Sequence, residues 1–246
     1  MGARQMGLGY ASSCLYDEWA IFNNAAGLSK VKQSTAAFTY DALPSLRSFN
    51  RMAALVALPS KLMTTALGVF RFGDDLYNEQ FVSAAFANKL GLASLGLRLN
   101  YIQYHAEGFG NYQAFTISFG GIAELTNTIH VGAQITNLNQ PIINKQTGEK
   151  MQTLMSLAVA INPSDKIILT SEVQKDLNFK ILWKTGLGYK FYKKFLARTG
   201  INLNPQAAFF GFGWKSKKLT LDYGLKYNPL LGNNHQATVA FSLSTK

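Results

Sequence analysis

Apolar and polar residues alternate one for one along most of this chain. From Ile129 to Thr136, Ile129, Val131, Ala133 and Ile135 fall on one side, with His130, Gly132, Gln134 and Thr136 on the other. Leu219, Leu221, Tyr223, Leu225 and Tyr227 alternate with Thr220, Asp222, Gly224 and Lys226. Ala237, Val239, Phe241 and Leu243 alternate in the same way with Gln236, Thr238, Ala240, Ser242 and Ser244. Successive side chains of a β-strand point to opposite faces, so a period of two predicts strands. Turn signals separate the runs: Pro59-Ser60-Lys61, Gly73-Asp74-Asp75, Asn162-Pro163-Ser164-Asp165 and Leu231-Gly232-Asn233-Asn234.

The pattern predicts 14 strands, near 33–41, 49–58, 63–72, 77–88, 91–104, 112–120, 127–136, 152–162, 166–174, 179–189, 194–202, 206–214, 218–227 and 235–244. Most span about 10 residues, the length a tilted strand needs to cross a bilayer. The expected fold is therefore all-β: a transmembrane antiparallel up-and-down β-barrel of about 14 strands. Near-equal strand lengths and tight connections fit such a barrel better than a soluble sandwich. The polar face is also rich in Gly, Ala, Ser and Thr rather than charge. An even strand number puts both termini on one side, expected to be the periplasmic side of a bacterial outer membrane.

Residues 1–32 do not alternate. Asp17–Ala26 reads as a short helix, with acidic residues at its start and Gly27 as its stop. The lead-in, with Gly2, Gly7 and Gly9, reads as tight and irregular. The expectation is a plug or hatch segment over 1–32, anchored by Trp19, Phe22, Asn24 and Gly27, followed by the barrel over 33–246.

The N-terminal motifs resemble a known family. Gly2-Ala3-Arg4-Gln5-Met6-Gly7-Leu8-Gly9, Asp17-Glu18-Trp19-Ala20 and Asn24-Ala25-Ala26-Gly27-Leu28 are similar to the opening of FadL-like outer-membrane barrels. The similarity is nearest to the PorV/PorQ branch associated with type IX secretion. Ala25 stands where that family has proline. The resemblance extends to Asn162–Asp165, to the Gly186 and Tyr189 strand leading into Phe195, Arg198 and Gly200, and to the last strand, His235–Leu243. It implies a 14-stranded barrel with an N-terminal plug. One departure is the shortness of the connections, the longest being Asn137–Met151.

Composition then limits the chemistry. No stretch has the roughly 20 consecutive apolar residues of a membrane helix. Cys14 is the single cysteine, so no intrachain disulfide can form. The start of the chain has no basic region followed by an apolar core, so it reads as a processed chain. The net charge of +11 comes from lysines in short turns rather than from one helix or tail, which argues against nucleic acid as a partner. The inner turns carry the basic rim Lys190, Lys193, Lys194, Lys215, Lys217 and Lys218, with Lys61, Lys89 and Lys166. These lysines suit phospholipid headgroups or an acidic periplasmic partner. The outer connections are net acidic, with Arg47, Lys145, Lys150 and Lys175 against Asp41, Asp74, Asp75, Glu79, Glu107, Glu149 and Asp176. In the polar phase, Arg98, Lys180, Lys184, Arg198 and Lys226, with Glu172 and Asp222, are expected to form a lumen charge network.

No G-x-S-x-G or H-E-x-x-H motif is present, and no glycine triplet of a dinucleotide loop. His105, His130 and His235 are scattered. The expectation is a non-enzymatic protein without cofactor or metal, in contact with outer-membrane lipid. As function it implies a PorV-like subunit of an outer-membrane protein machine, in type IX secretion or outer-membrane protein assembly, bound to a larger envelope complex. The alternative is a FadL-like channel for uptake of hydrophobic small molecules.

Overall fold

The computed structural model describes residues 1–108, 110–144, 148–176, 179–229 and 232–243. Lys145, Leu231 and Ser244, which the sequence reading used, lie outside them. Fourteen strands form a closed antiparallel barrel. In chain order they are β1 (Thr35–Ala42), β2 (Arg51–Pro59), β3 (Thr64–Gly73), β4 (Tyr77–Leu90), β5 (Ala93–Ala106), β6 (Gly110–Glu124) and β7 (Ile129–Thr136). After a short hairpin, β8 (Ile142–Asn144) and β9 (Glu149–Lys150), come β10 (Leu154–Ser164), β11 (Ile167–Asp176), β12 (Leu182–Tyr192), β13 (Phe195–Leu203), β14 (Ala207–Lys215), β15 (Leu219–Asn228) and β16 (Gly232–Ser242). Each strand pairs with its sequence neighbour, β7 pairs with β10 across the hairpin, and β1 closes on β16 from Thr35↔Ser242 to Ala42↔His235.

All fourteen predicted strands are present. The β8–β9 hairpin falls in a stretch read as loop. Two strands of three and two residues are too short to leave a periodic trace.

Closure leaves no edge strand among the described residues of the barrel, as a hydrocarbon surround demands. The outward phase is large and exposed, as with Phe38 and Tyr40 on β1, Leu67 and Val69 on β3, Phe115 and Phe119 on β6, and Phe210 and Phe212 on β14. Ile117 and Trp214 extend the last two rows and are half-buried. The inward phase is small: Ala53 and Ala57, Ser83, Ala85 and Ala87, Thr116 and Ser118, Ala158 and Ala160. A barrel of fourteen strands is wider than the eight-stranded size whose side chains fill the interior. Small inward residues leave space that the N-terminal segment occupies.

That segment is not the single helix over 17–26 that the sequence predicts. It holds a short α-helix, α1 (Ala3–Gly7), in the stretch expected to be irregular, then two turns of 3-10 helix, Glu18–Ile21 and Ala25–Lys30. Asn24 separates the two turns because its Oδ1 accepts from Ala26 N at 3.2 Å, capping the second. Gly27 sits inside the second turn rather than stopping a helix. A Cβ there would overlap the Leu15 carbonyl oxygen.

Candidate functional site

The plug backbone meets the wall at several inward glycines. A Cβ on Gly96 would overlap the Ala26 amide nitrogen, one on Gly132 the Ser13 carbonyl oxygen, and one on Gly200 the Gly9 amide nitrogen. At Gly211 it would come within 2.9 Å of Gly7 Cα. Glycines on β5, β7, β13 and β14 thus let the plug backbone lie directly on the sheet. In the sequence, the trace of this contact is the glycine in the polar phase of several strands, beyond the general smallness of that face.

Polar anchors complete the fit. Glu172 on β11 is buried, and its Oε2 accepts from the amides of Ser12 and Ser13 at 2.9 Å each. Its Oε1 accepts from Lys184 Nζ on β12, also at 2.9 Å. Arg198 on β13 donates to Asp222 Oδ1 on β15 at 2.6 Å. Arg98 on β5 has no carboxylate within ion-pair distance among the described residues. Its Nη1 donates to the Ile21 carbonyl oxygen of the plug at 3.1 Å. Asn24 Nδ2 donates to the Ser13 and Gly121 carbonyl oxygens at 2.8 and 3.2 Å. Trp19 is buried at 2 % exposure, with Phe22 at 6.0 Å between ring centres, and Phe22 in turn meets Phe81 of β4 edge-on.

Two more of the expected network residues stand outside these contacts. Lys180 is exposed in the connection between β11 and β12, because β12 begins two residues later. Lys226 on β15 is half-buried and makes no ion pair among the described residues. His130 lies in the lumen against Tyr16 at 5.9 Å, edge to face. Cys14 is buried in the plug, and burial, followed by the nearby Glu172 charge, pushes its thiol up to about 12.

The two ends of the barrel differ. The end with the short turns holds the N-terminal segment, the start of β1 and the end of β16. Its mouth, a cavity of about 600 Å³, is lined by Asp17, Glu18, Lys32, Lys190, Lys193 and Lys215 among others. Lys194, Lys217 and Lys218 are exposed on the adjoining turns. Lys89 and Glu124, read as separate turn charges, pair with each other at 2.9 Å, and Lys30 of the plug joins them at 2.8 Å. Glu18 is pushed up to about 7, first by burial and then by the adjacent Asp17.

The loop end holds a cavity of about 820 Å³ between β4, β5, β10 and the β8–β9 hairpin. Phe81, Ile102, Tyr104, Ile143, Met151 and Leu154 form its apolar wall. Arg98 is the cation at its plug side; Glu79, Glu149 and Lys150 lie nearer the opening. Ile102, Ala114 and Met151 pack together with Phe81, Tyr104 and Ile143 at its edge. Among the described residues, no group of His, Cys, Asp and Glu is placed to hold a metal ion.

No family model matches the chain, and no curated protein matches it in sequence. Solved structures do. A shortened form of the TodX monoaromatic hydrocarbon channel superposes with a TM-score of 0.76 at 10% identity, covering 100% of this chain and 99% of that one. The Pseudomonas putida toluene transporter TodX gives 0.68 at 10% identity, covering 98% and 96%. A Pseudomonas aeruginosa FadL homologue gives 0.69 at 11% identity, covering 99% and 98%. The fold is that of the FadL-like outer-membrane barrels. At such identities the likeness is one of architecture, and the lining of this chain's cavities is its own.

Proposed function

We propose that this chain is a plugged outer-membrane barrel that admits small hydrophobic molecules into the loop-end cavity, as a FadL-like channel. Both termini then face the periplasm and the cavity opens to the outside. The observation that carries this reading is the apolar wall built by Phe81, Ile102, Tyr104, Ile143, Met151 and Leu154 above the plug. Small-molecule sites are concave, mostly apolar and held to few polar groups. Arg98 and Asn100 are the buried polar groups of the lining, and the Arg98 cation suits a ligand with an apolar body and one anionic or hydrogen-bond-accepting end. TodX, described as a channel for monoaromatic hydrocarbons, supports the apolar part of this reading.

Binding of the apolar dye N-phenylnaphthylamine to the purified barrel tests the proposal. Its fluorescence should rise on binding, and Ile102→Trp, which fills the cavity, should abolish most of the rise. An unchanged signal in a folded Ile102→Trp barrel contradicts it.

A second reading is a subunit of an outer-membrane protein machine, in type IX secretion or barrel assembly. The closed strand order favours it, since among the described residues every adjacent strand pair is hydrogen-bonded, β6 with β7 from Phe119 to Glu124. The lysines at 190, 193, 194, 215, 217 and 218 would then meet an acidic partner at the turn end. Reversing Lys193, Lys194, Lys217 and Lys218 together should release a partner that copurifies in mild detergent. A native barrel that copurifies with nothing removes this reading.

A further inference from the structure

The outward face of β4, β5 and β6 changes character abruptly near the loop end. Val82, Tyr101 and Phe115 are opposed in register and exposed, forming the last apolar row. The next row outward is Gln80, Gln103 and Gln113, and the one beyond it is Asn78, His105 and Asn111. These six side chains form a two-by-three grid without a formal charge. They line a concave site of about 310 Å³, with Tyr104 the remaining lining residue. The strands that carry the grid are long, at 14, 14 and 15 residues. β6 pairs with β7 only from Phe119 to Glu124, so the β5–β6 hairpin rises beyond the ladder with β7.

Exposed sheet surface in water is ordinarily dressed with Lys, Glu, Asp and Arg. The grid instead offers amides and one imidazole, groups that can donate and accept, although Asn78 is buried and donates its Nδ2 to the Asp74 carbonyl oxygen at 3.0 Å. Internal bonds orient part of it: the ring Nδ1 of His105 lies 2.7 Å from Asn111 Oδ1, and Gln80 Nε2 donates to Asn78 Oδ1 at 3.1 Å. The Gln113 side chain makes no hydrogen bond among the described residues. Among the described residues Arg71 flanks the grid opposite Gln80, exposed and 3.9 Å from the exposed Asp75. Phosphate would call for free lysine or arginine, and lipid tails would call for an apolar surface. Paired donors and acceptors over exposed aromatic rings suit the hydroxyls and C–H faces of a sugar.

We propose that this grid binds the neutral sugar units of a glycolipid in the surrounding leaflet. The grid stands one row above the lipid-facing band, where a headgroup sugar anchored in that leaflet would lie. Tyr101 and Phe115 offer aromatic faces to its first unit, and the amide rows hold the hydroxyls. The assignment rests on the loop end facing the glycolipid leaflet, and not on what the lumen admits.

Native mass spectrometry of the purified barrel with three probes tests it: a lipooligosaccharide, its lipid A portion alone, and phosphatidylglycerol. The lipooligosaccharide should bind more tightly than lipid A. Changing Gln103, His105 and Gln113 to Ala should remove that advantage, a loss of about tenfold or more, while binding of lipid A and phosphatidylglycerol stays the same. Gln103→Lys with Gln113→Lys should weaken the lipooligosaccharide as well. An equal affinity for lipooligosaccharide and lipid A, or tighter binding by the lysine variant, overturns the assignment. Heat-modifiable migration of each variant confirms that the barrel has closed.

Discussion

Glu172 shows how single residues set the plug. One carboxylate oxygen takes two consecutive plug amides and the other takes Lys184. Removing one member of such a buried pair is costly, because the partner stays charged and buried; typical losses are about 3–5 kcal/mol. Glu172→Gln should therefore loosen the segment around Ser12 and Ser13, and Glu172→Leu with Lys184→Met should loosen it too, because both plug amides then lose their acceptor. Cys14 lies beside this anchor and reports on it. Its buried thiol, raised to about 12, should resist alkylation in the native barrel and react readily in Glu172→Gln. Equal protection in both would show that the carboxylate does not hold the plug.

Glu18 adds a pH dependence to the same segment. Its folded pKa, about 7 against an ordinary 4.5, means that folding favours the protonated form. The associated stability is full below about pH 4.5 and is lost as pH rises through about 7. Proteolysis of the N-terminal segment should become faster across this window, and Glu18→Gln should flatten that slope. A wild-type rate that is constant, or that falls with rising pH, contradicts the assignment.

At the scale of elements, the strands were legible because lipid outside and small residues inside impose strict alternation. The segments that sequence alone misplaced are those in which tertiary contact overrides local preference. Asp17–Ala26 begins like a helix, but Asn24 spends its side chain on Ala26 and the wall, and the chain divides into two turns. Lys180 alternates in phase with its strand yet precedes the first paired residue. The belt of inward glycines becomes meaningful only once fourteen strands are wrapped around a plug. Gly96→Val should be the most disruptive of the wall substitutions, since its side chain would occupy the place of Ala26. Overpacking of this kind typically costs about 1–3 kcal/mol. Here it should appear as faster Cys14 labelling, with the barrel still resistant to mild detergent. The loop-end cavity was not legible at all, because its lid is the β8–β9 hairpin and its walls come from strands far apart in sequence.

For the whole molecule, closure and plugging make separate predictions. The closed ladder should give heat-modifiable migration, and the filled lumen should give little conductance in planar bilayers. Deleting residues 1–32 should raise conductance, because the small inward side chains cannot fill a fourteen-strand bore. The central claim is that the space left above the plug holds an apolar ligand. Crystals of the barrel soaked with an iodinated monoaromatic compound test this most directly through the anomalous signal of iodine. The account predicts a peak between Phe81, Ile102 and Met151, at the loop end of the lumen. Iodine found only along the lipid-facing surface, with that cavity empty, would contradict it.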